Sequence, residues 1–219
     1  MILLLFLLLG FFLANAADQY QIYARTIGAV NGTIARGYQS AMETMLINRV
    51  GAAIYFFSTS FYLESDGKVH PYLITISFGL LFLFFFNLHT INSLKNLNKV
   101  NKHLNREEES NNNIQQVPHF LKAAAFFATL FSILGLTLPY IAGMFFPEYR
   151  LTLANSGFIF NSIFTLVTTL IIDKNIAIMI DSGNSMLIRT ASSVIIFKSF
   201  ALLSMGLIPL IYFLTVRYF

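Results

Sequence analysis

The chain predicts an all-α polytopic membrane protein, a bundle of about six transmembrane helices. Three observations predict it. Of its 219 residues 56% are hydrophobic and only 11% are charged, whereas soluble domains carry about a quarter charged residues. Six apolar stretches reach the roughly 20 residues that a helix needs to cross a bilayer. The polar residues collect in the links between them. No segment is large enough to fold separately in water, so residues 1–219 read as a single integral membrane domain.

The first span, Leu3–Ala24, has an apolar core and an Ala-x-Ala end, "ANAADQ", which also suits a secretory signal peptide. It lacks a basic segment before the core and continues through "QYQIYA" without a turn, so a retained helix is expected. "NGTIARG" then supplies an Asn-Gly turn. The second span, Gly37–Leu63, is followed by the short polar loop "ESDGKVHP". The third, Tyr72–Ile91, is almost purely apolar through its middle and should face lipid. Residues 92–119 read as one long polar cytoplasmic loop, Asn-rich, with some amphipathic helix at its start.

The fourth span, Phe120–Phe146, and the sixth, Ser192–Val216, contain Pro139 and Pro209. Each proline frees a backbone carbonyl, which is tolerable only against protein or water. The fifth, Leu151–Ile172, places Asn155, Ser162 and Thr169 at seven-residue intervals on one face. "DKNIAIMIDSGNSMLIR" looks too short and interrupted to span, and should lie along the interface or re-enter. Three spans precede the long loop and three follow it, so a three-plus-three inverted repeat would result if the halves were related. "YARTIG" and "EYRLTL" occupy corresponding places, but that likeness is too faint to carry weight.

Charge orients the bundle. Most basic residues outside the spans, among them Arg25, Arg36, Lys95, Lys122, Lys174 and Arg189, fall on one side, and only Lys68, Arg150 and Arg217 on the other. The rich side should be cytoplasmic, which puts both termini outside. The formal charge of +4 is explained by this asymmetry and does not call for nucleic acid.

Two acids and two bases fall within spans: Asp18, Glu43, Arg49 and Lys198. Near a helix centre such charges cost about 2.5–3.5 kcal/mol each on insertion scales. They should therefore face the bundle interior, pair with one another or line a wet cavity. Glu43 and Arg49 are six residues apart, about 120° around a helix, and each should need a partner on another helix. Asp18 and Arg25 are seven apart and nearly eclipsed, so both can point into one cleft. Interhelical glue would account for any single one of these residues. The set, with the polar face of the fifth span and two proline-broken helices, points instead to a hydrophilic groove. Guanidinium groups suit a phosphate or diphosphate there, and Asp18 or Glu43 could bind protons.

Several chemistries are unsupported. Cysteine is absent, which removes thiolate metal sites and thiol nucleophiles. His70, His89, His103 and His119 lack ligand spacing. No phosphate-binding loop, HExxH or nucleophile elbow occurs. No cofactor and no enzymatic activity are expected.

The polar residues form an ordered series. An acid, Asp18, stands near the end of the first helix, followed by "ARTIGAVNGTIA" with Arg25, Gly28 and Gly32, and then by Arg49. Farther on, "PEYRLT" precedes Asn161, Thr165 and Asp173 in "NSIFTLVTTLIIDKNIAIMID". In this the chain resembles the Amj-type (alternate) lipid II flippase family of bacteria, over its first fifty or so residues and roughly 147–205. Lys198 stands where that family is expected to have arginine, which would turn a bidentate contact into a point charge.

The resemblance implies transport of the lipid-linked peptidoglycan precursor, lipid II, across the cytoplasmic membrane for cell-wall synthesis, with an undecaprenyl diphosphate lipid as partner. Side-chain chemistry then suggests Arg25, Arg49 and Lys198 as diphosphate contacts, and Asn155 and Asn161 as sugar or peptide contacts. The alternatives are a transporter of another polyprenyl-linked sugar or of a phospholipid, a non-catalytic subunit of a membrane complex, and a lipid-modifying enzyme using Asp18, Glu43 and a histidine.

Overall fold

The computed structural model describes residues 2–65, 68–104, 117–183 and 186–218. They form α1 (Ile2–Val30), α2 (Ile34–Glu64), α3 (Val69–Leu104), α4 (His119–Phe145), a 3-10 turn at Pro147–Tyr149, α5 (Arg150–Val167), a π-helical segment (Thr168–Asp173), α6 (Lys174–Asp181) and α7 (Leu187–Tyr218). No strand occurs among the described residues. The all-helical expectation therefore holds.

Among the described residues five helical stretches are long and apolar enough to cross a membrane: Ile2–Val30, Val69–Leu97, His119–Phe145, Ile159–Asp181 and Leu187–Pro209. Two expectations change. The second span forms a helix of 31 residues, α2, but it is not among those five. The fifth helix starts at Arg150, beside the expected Leu151, but runs past the expected end at Ile172. It does not stop at "DKNIAIMID" but runs on through the π segment into α6. The physical reason is that Asp173 is neutralised by Arg25 (3.0 Å), so this charge need not leave the bundle. The expected loop at 92–119 is also shortened, because α3 is helical to Leu104; its remainder, up to residue 116, lies outside the described residues.

The turn between α1 and α2 follows from Asn31-Gly32. Gly32 has a φ of 68°, where an L side chain is strained. The two helices then pack backbone against backbone. A β-carbon on Gly28 would lie 2.5 Å from the Gly37 α-carbon, and one on Gly51 would lie 2.5 Å from the Ala14 nitrogen. Gly51→Ala should therefore force the pair apart and cost about 1–3 kcal/mol, as overpacking does. Thermal unfolding in detergent measures this; an unchanged midpoint would refute the close contact.

Two apolar clusters fill the interior, one toward each end of the bundle. One gathers Leu7, Phe11, Tyr55, Leu80, Leu83, Ile133 and Leu202. The other gathers Ile22, Ile91, Ala128, Ile172, Ile176 and Ile195. Helices α1 and α3 pass from the first cluster to the second, and α4 and α7 pass back. α3 is lipid-like on one side only: Phe78, Phe82 and Phe85 are exposed while Leu80 and Leu83 are buried.

Pro139 lies inside α4 and leaves the Gly135 carbonyl without its helical donor. Protein covers this turn. Gly157 of α5 packs on it so closely that a β-carbon would come within 2.7 Å of the Gly135 oxygen. From the other side the Tyr55 hydroxyl donates to the Leu136 carbonyl (2.6 Å). Its single proton being used there, Tyr55 accepts from Tyr72 (2.7 Å). Tyr140 stacks edge-on to Tyr55 at 6.0 Å. This aromatic knot holds α2, α3 and α4 at one end of the bundle.

Candidate functional site: two interhelical ion pairs

The polar residues of the interior sit between the two apolar clusters. On α1, Asp18 and Gln19 lie between Ala16 and Ile22; on α3, Asn87 lies between Leu83 and Ile91; on α7, Lys198 lies between Ile195 and Leu202. Each helix thus switches from apolar to polar and back at the same level. Lys198 is fully buried, and its ammonium donates to Asp18 Oδ2 at 2.8 Å. The Asp18 side chain keeps 20% of its surface accessible. One partner is sealed in and the other reaches an opening.

Two turns along α1, about 10 Å by the rise of a helix, Arg25 Nη1 meets Asp173 Oδ1 at 3.0 Å, with 20% and 29% of the two side chains accessible. The Arg25 guanidinium also lies over the Tyr38 ring, 5.6 Å from its centroid, a cation–π arrangement. Asp173 ends the π segment. Such a segment adds about one residue to its turn, which shifts everything after it by about 100° around the axis. Asp173 carries the second acid of the site, and its place in "LIIDKN" disguised it as the end of a span. The signal that points to it is stoichiometric: Arg25 and Lys198 need two carboxylates, and Asp18 is one.

The expected residues divide. Asp18, Arg25 and Lys198 come together as the spacing and burial arguments require. Glu43 does not join them: it is exposed and accepts from Gln39 of its own helix at 3.0 Å. Arg49 is exposed as well, with no hydrogen bond or ion pair to any described residue, so the expected partner on another helix is not found. The reason is that α2 packs chiefly along α1, which leaves most of its circumference uncovered.

The two exposed charges differ in direction. Arg49 is eleven residues from Tyr38 and Phe56 is eighteen, so all three lie within about 20° on one face of α2. Tyr38 touches Arg25 and Phe56 stacks near Tyr140 of α4 (6.3 Å). Between these contacts Met42 and Met45 are 71% and 47% exposed. Arg49 therefore stands on an open strip bounded at one end by the Arg25–Asp173 pair. Glu43 lies about 140° away from Tyr38 and outside it.

The polar face of α5 also turns outward. Ser162, Thr165 and Thr169 are exposed, because α5 is packed on α4 through Gly157 and Gly135. Asn161 rests its Oδ1 against Gly135 and, with Ser162, Thr165 and Leu166, borders a shallow open concavity of about 470 Å3. The Asn155 side chain lies outside the described residues. Among the described residues no group of three His, Cys, Asp or Glu could hold a metal ion, and His70, His89 and His119 are exposed. Glu43 is not brought to Asp18. In comparison with known proteins, no family model, no curated protein and no solved structure matches this chain.

Proposed function

We propose that this protein moves an anionic, polyprenyl-linked headgroup across the cytoplasmic membrane, lipid II being the substrate that its resemblance to the Amj-type family implies. The observation that carries the reading is the charge-balanced quartet Asp18, Lys198, Arg25 and Asp173, in which every member but the buried Lys198 stays part-accessible. Intramembrane ionisable groups of this kind mark polar pathways. Arg49, without an ion-pair partner among the described residues, adds a cation on the adjacent strip of α2. A diphosphate is recognised by forked donors, and Arg25 and Arg49 offer two forks on that strip. The lipid tail stays in the bilayer throughout.

In this reading α2 is the sixth crossing, made tolerable by the groove beside it, and both termini face outside. Lys198 touches the headgroup only after Asp18 lets go, so the inner pair acts as the contact that is exchanged. Asn161, on the outer face of α5, is placed to meet sugar or peptide that trails outside the strip. Glu43 has no part.

The test is transport by the purified protein in liposomes that contain a fluorescent lipid II-type lipid. Exposure of the label to a membrane-impermeant quencher should rise with protein, and should not rise for a neutral lipid carrying the same tail. Folded protein that moves neither lipid would sink the proposal. A second reading, a non-catalytic subunit of a membrane complex, is favoured by the exposed Ser162, Thr165 and Thr169 face of α5, which suits a partner helix. It predicts that the isolated protein moves nothing and that transport appears only with the complex.

A further inference from the structure

The inner ion pair has a second side. Asn87 is fully buried, in the middle of the core-facing stripe of α3, and neither its Nδ2 nor its Oδ1 has a hydrogen-bond partner among the described residues. The same holds for Oε1 of Gln19, 2% exposed. Their positions converge. Gly206 of α7 meets Leu80 of α3; two turns on from Leu80 is Asn87, and two turns back from Gly206 is Ser199, so Asn87 lies level with Lys198. Gln19 stands on α1 between Phe12 and Tyr23, which contact Phe86 and Ser93 of α3, so it faces α3 at that level. The Lys198 ammonium has three N–H donors, and Asp18 takes one of them at 2.8 Å.

We propose that Gln19, Asn87 and Lys198 enclose an internal water site, on the side of Lys198 away from the Asp18 opening. The ligand is water because the groups require both a donor and an acceptor: the carboxamide oxygens accept, the Asn87 amide and the ammonium donate, and a buried water satisfies two to four such groups. A metal cation is disfavoured by the ammonium beside it. The site has a consequence for transport, which rests on the function proposed above. With water on its inner side Lys198 can release Asp18 without becoming a bare cation in a low-dielectric core. Asp18 and Lys198 then part cheaply enough for an anionic headgroup to come between them.

The absence of cysteine makes the test direct, since an introduced thiol is the only one in the chain. The S–H infrared stretch of Asn87→Cys is read beside those of Leu80→Cys and Leu94→Cys, controls from the same buried stripe. The Asn87→Cys band should lie lower than either control, because its thiol is a weak donor held against water. Equal frequencies would overturn the water site. Melting temperature gives an independent sign. Asn87→Leu should melt lower than the parent if it displaces bound water, and higher if it merely removes an unsatisfied amide from a dry core; the higher value overturns the proposal. A lowered S–H stretch in a protein that moves no lipid would uphold the water site and sink the flippase reading, so the two can fail separately.

Discussion

Asp18→Ala is expected to destabilise the protein by about 3–5 kcal/mol, the range for removing one partner of a buried pair. Lys198 is fully buried and Asp18 is the carboxylate that its ammonium contacts. Without it a cation is left in the interior of a bundle, between two apolar clusters. The companion variant separates pairing from packing. Lys198→Met in the Asp18→Ala background removes the stranded charge and keeps most of the side-chain volume, so it should recover most of the lost stability. Unfolding by a denaturing detergent, followed by circular dichroism, measures both. If Asp18→Ala unfolds like the parent, the pair holds nothing together. If the double variant is no better than the single one, the loss came from packing and not from charge.

Arg49→Ala should behave in the opposite way, with transport lowered about tenfold to a hundredfold and stability nearly untouched. The magnitude follows from one lost charge-assisted contact, about 1.5–3 kcal/mol, at about 1.4 kcal/mol per factor of ten. Stability should stay within about 0.5 kcal/mol, as for surface substitutions without partners, because Arg49 is exposed and has no hydrogen bond or ion pair to a described residue. Arg49→Lys should fall between, since it keeps the charge and loses the fork. The measurement is headgroup exposure in the liposome assay beside a melting curve. Normal transport with normal melting would remove Arg49 from the pathway; a large drop in melting temperature would make its role structural.

Lys198 and Glu43 both lie within apolar runs, where facing lipid is costly, yet Lys198 is buried and Glu43 is exposed. α7 is packed against α1, α3 and α4 around Lys198, so an ionised side chain there has nowhere to go but inward. α2 leans on α1, and most of its turns present a free side. Periodicity tells which residues share a face, but the number of neighbours tells whether that face is covered. Asp18 and Arg25 were legible because their seven-residue spacing and a well-packed helix agree. Asp173 was not, because a charged pair, Asp173-Lys174, reads as the end of a span unless its counter-ion is known. The π segment compounds this, since hydrogen bonds to i+5 leave no compositional trace in "TTLIID".

By itself the amino-acid order determined that this chain is a helical membrane protein, that Asp18 and Arg25 share one side of their helix, and that Lys198 needs a carboxylate. Those conclusions rest on local geometry and on the transfer cost of charge, both of which are properties of one helix at a time. Only the tertiary structure decided which carboxylate answers which base, that Asn87 and Gln19 stand level with Lys198, and that Arg49 is left unpaired. Ion pairs between helices depend on the rotation of each helix about its axis, and that rotation is set by contacts such as Gly28 on Gly37 and Gly157 on Gly135, which become visible when the helices are packed.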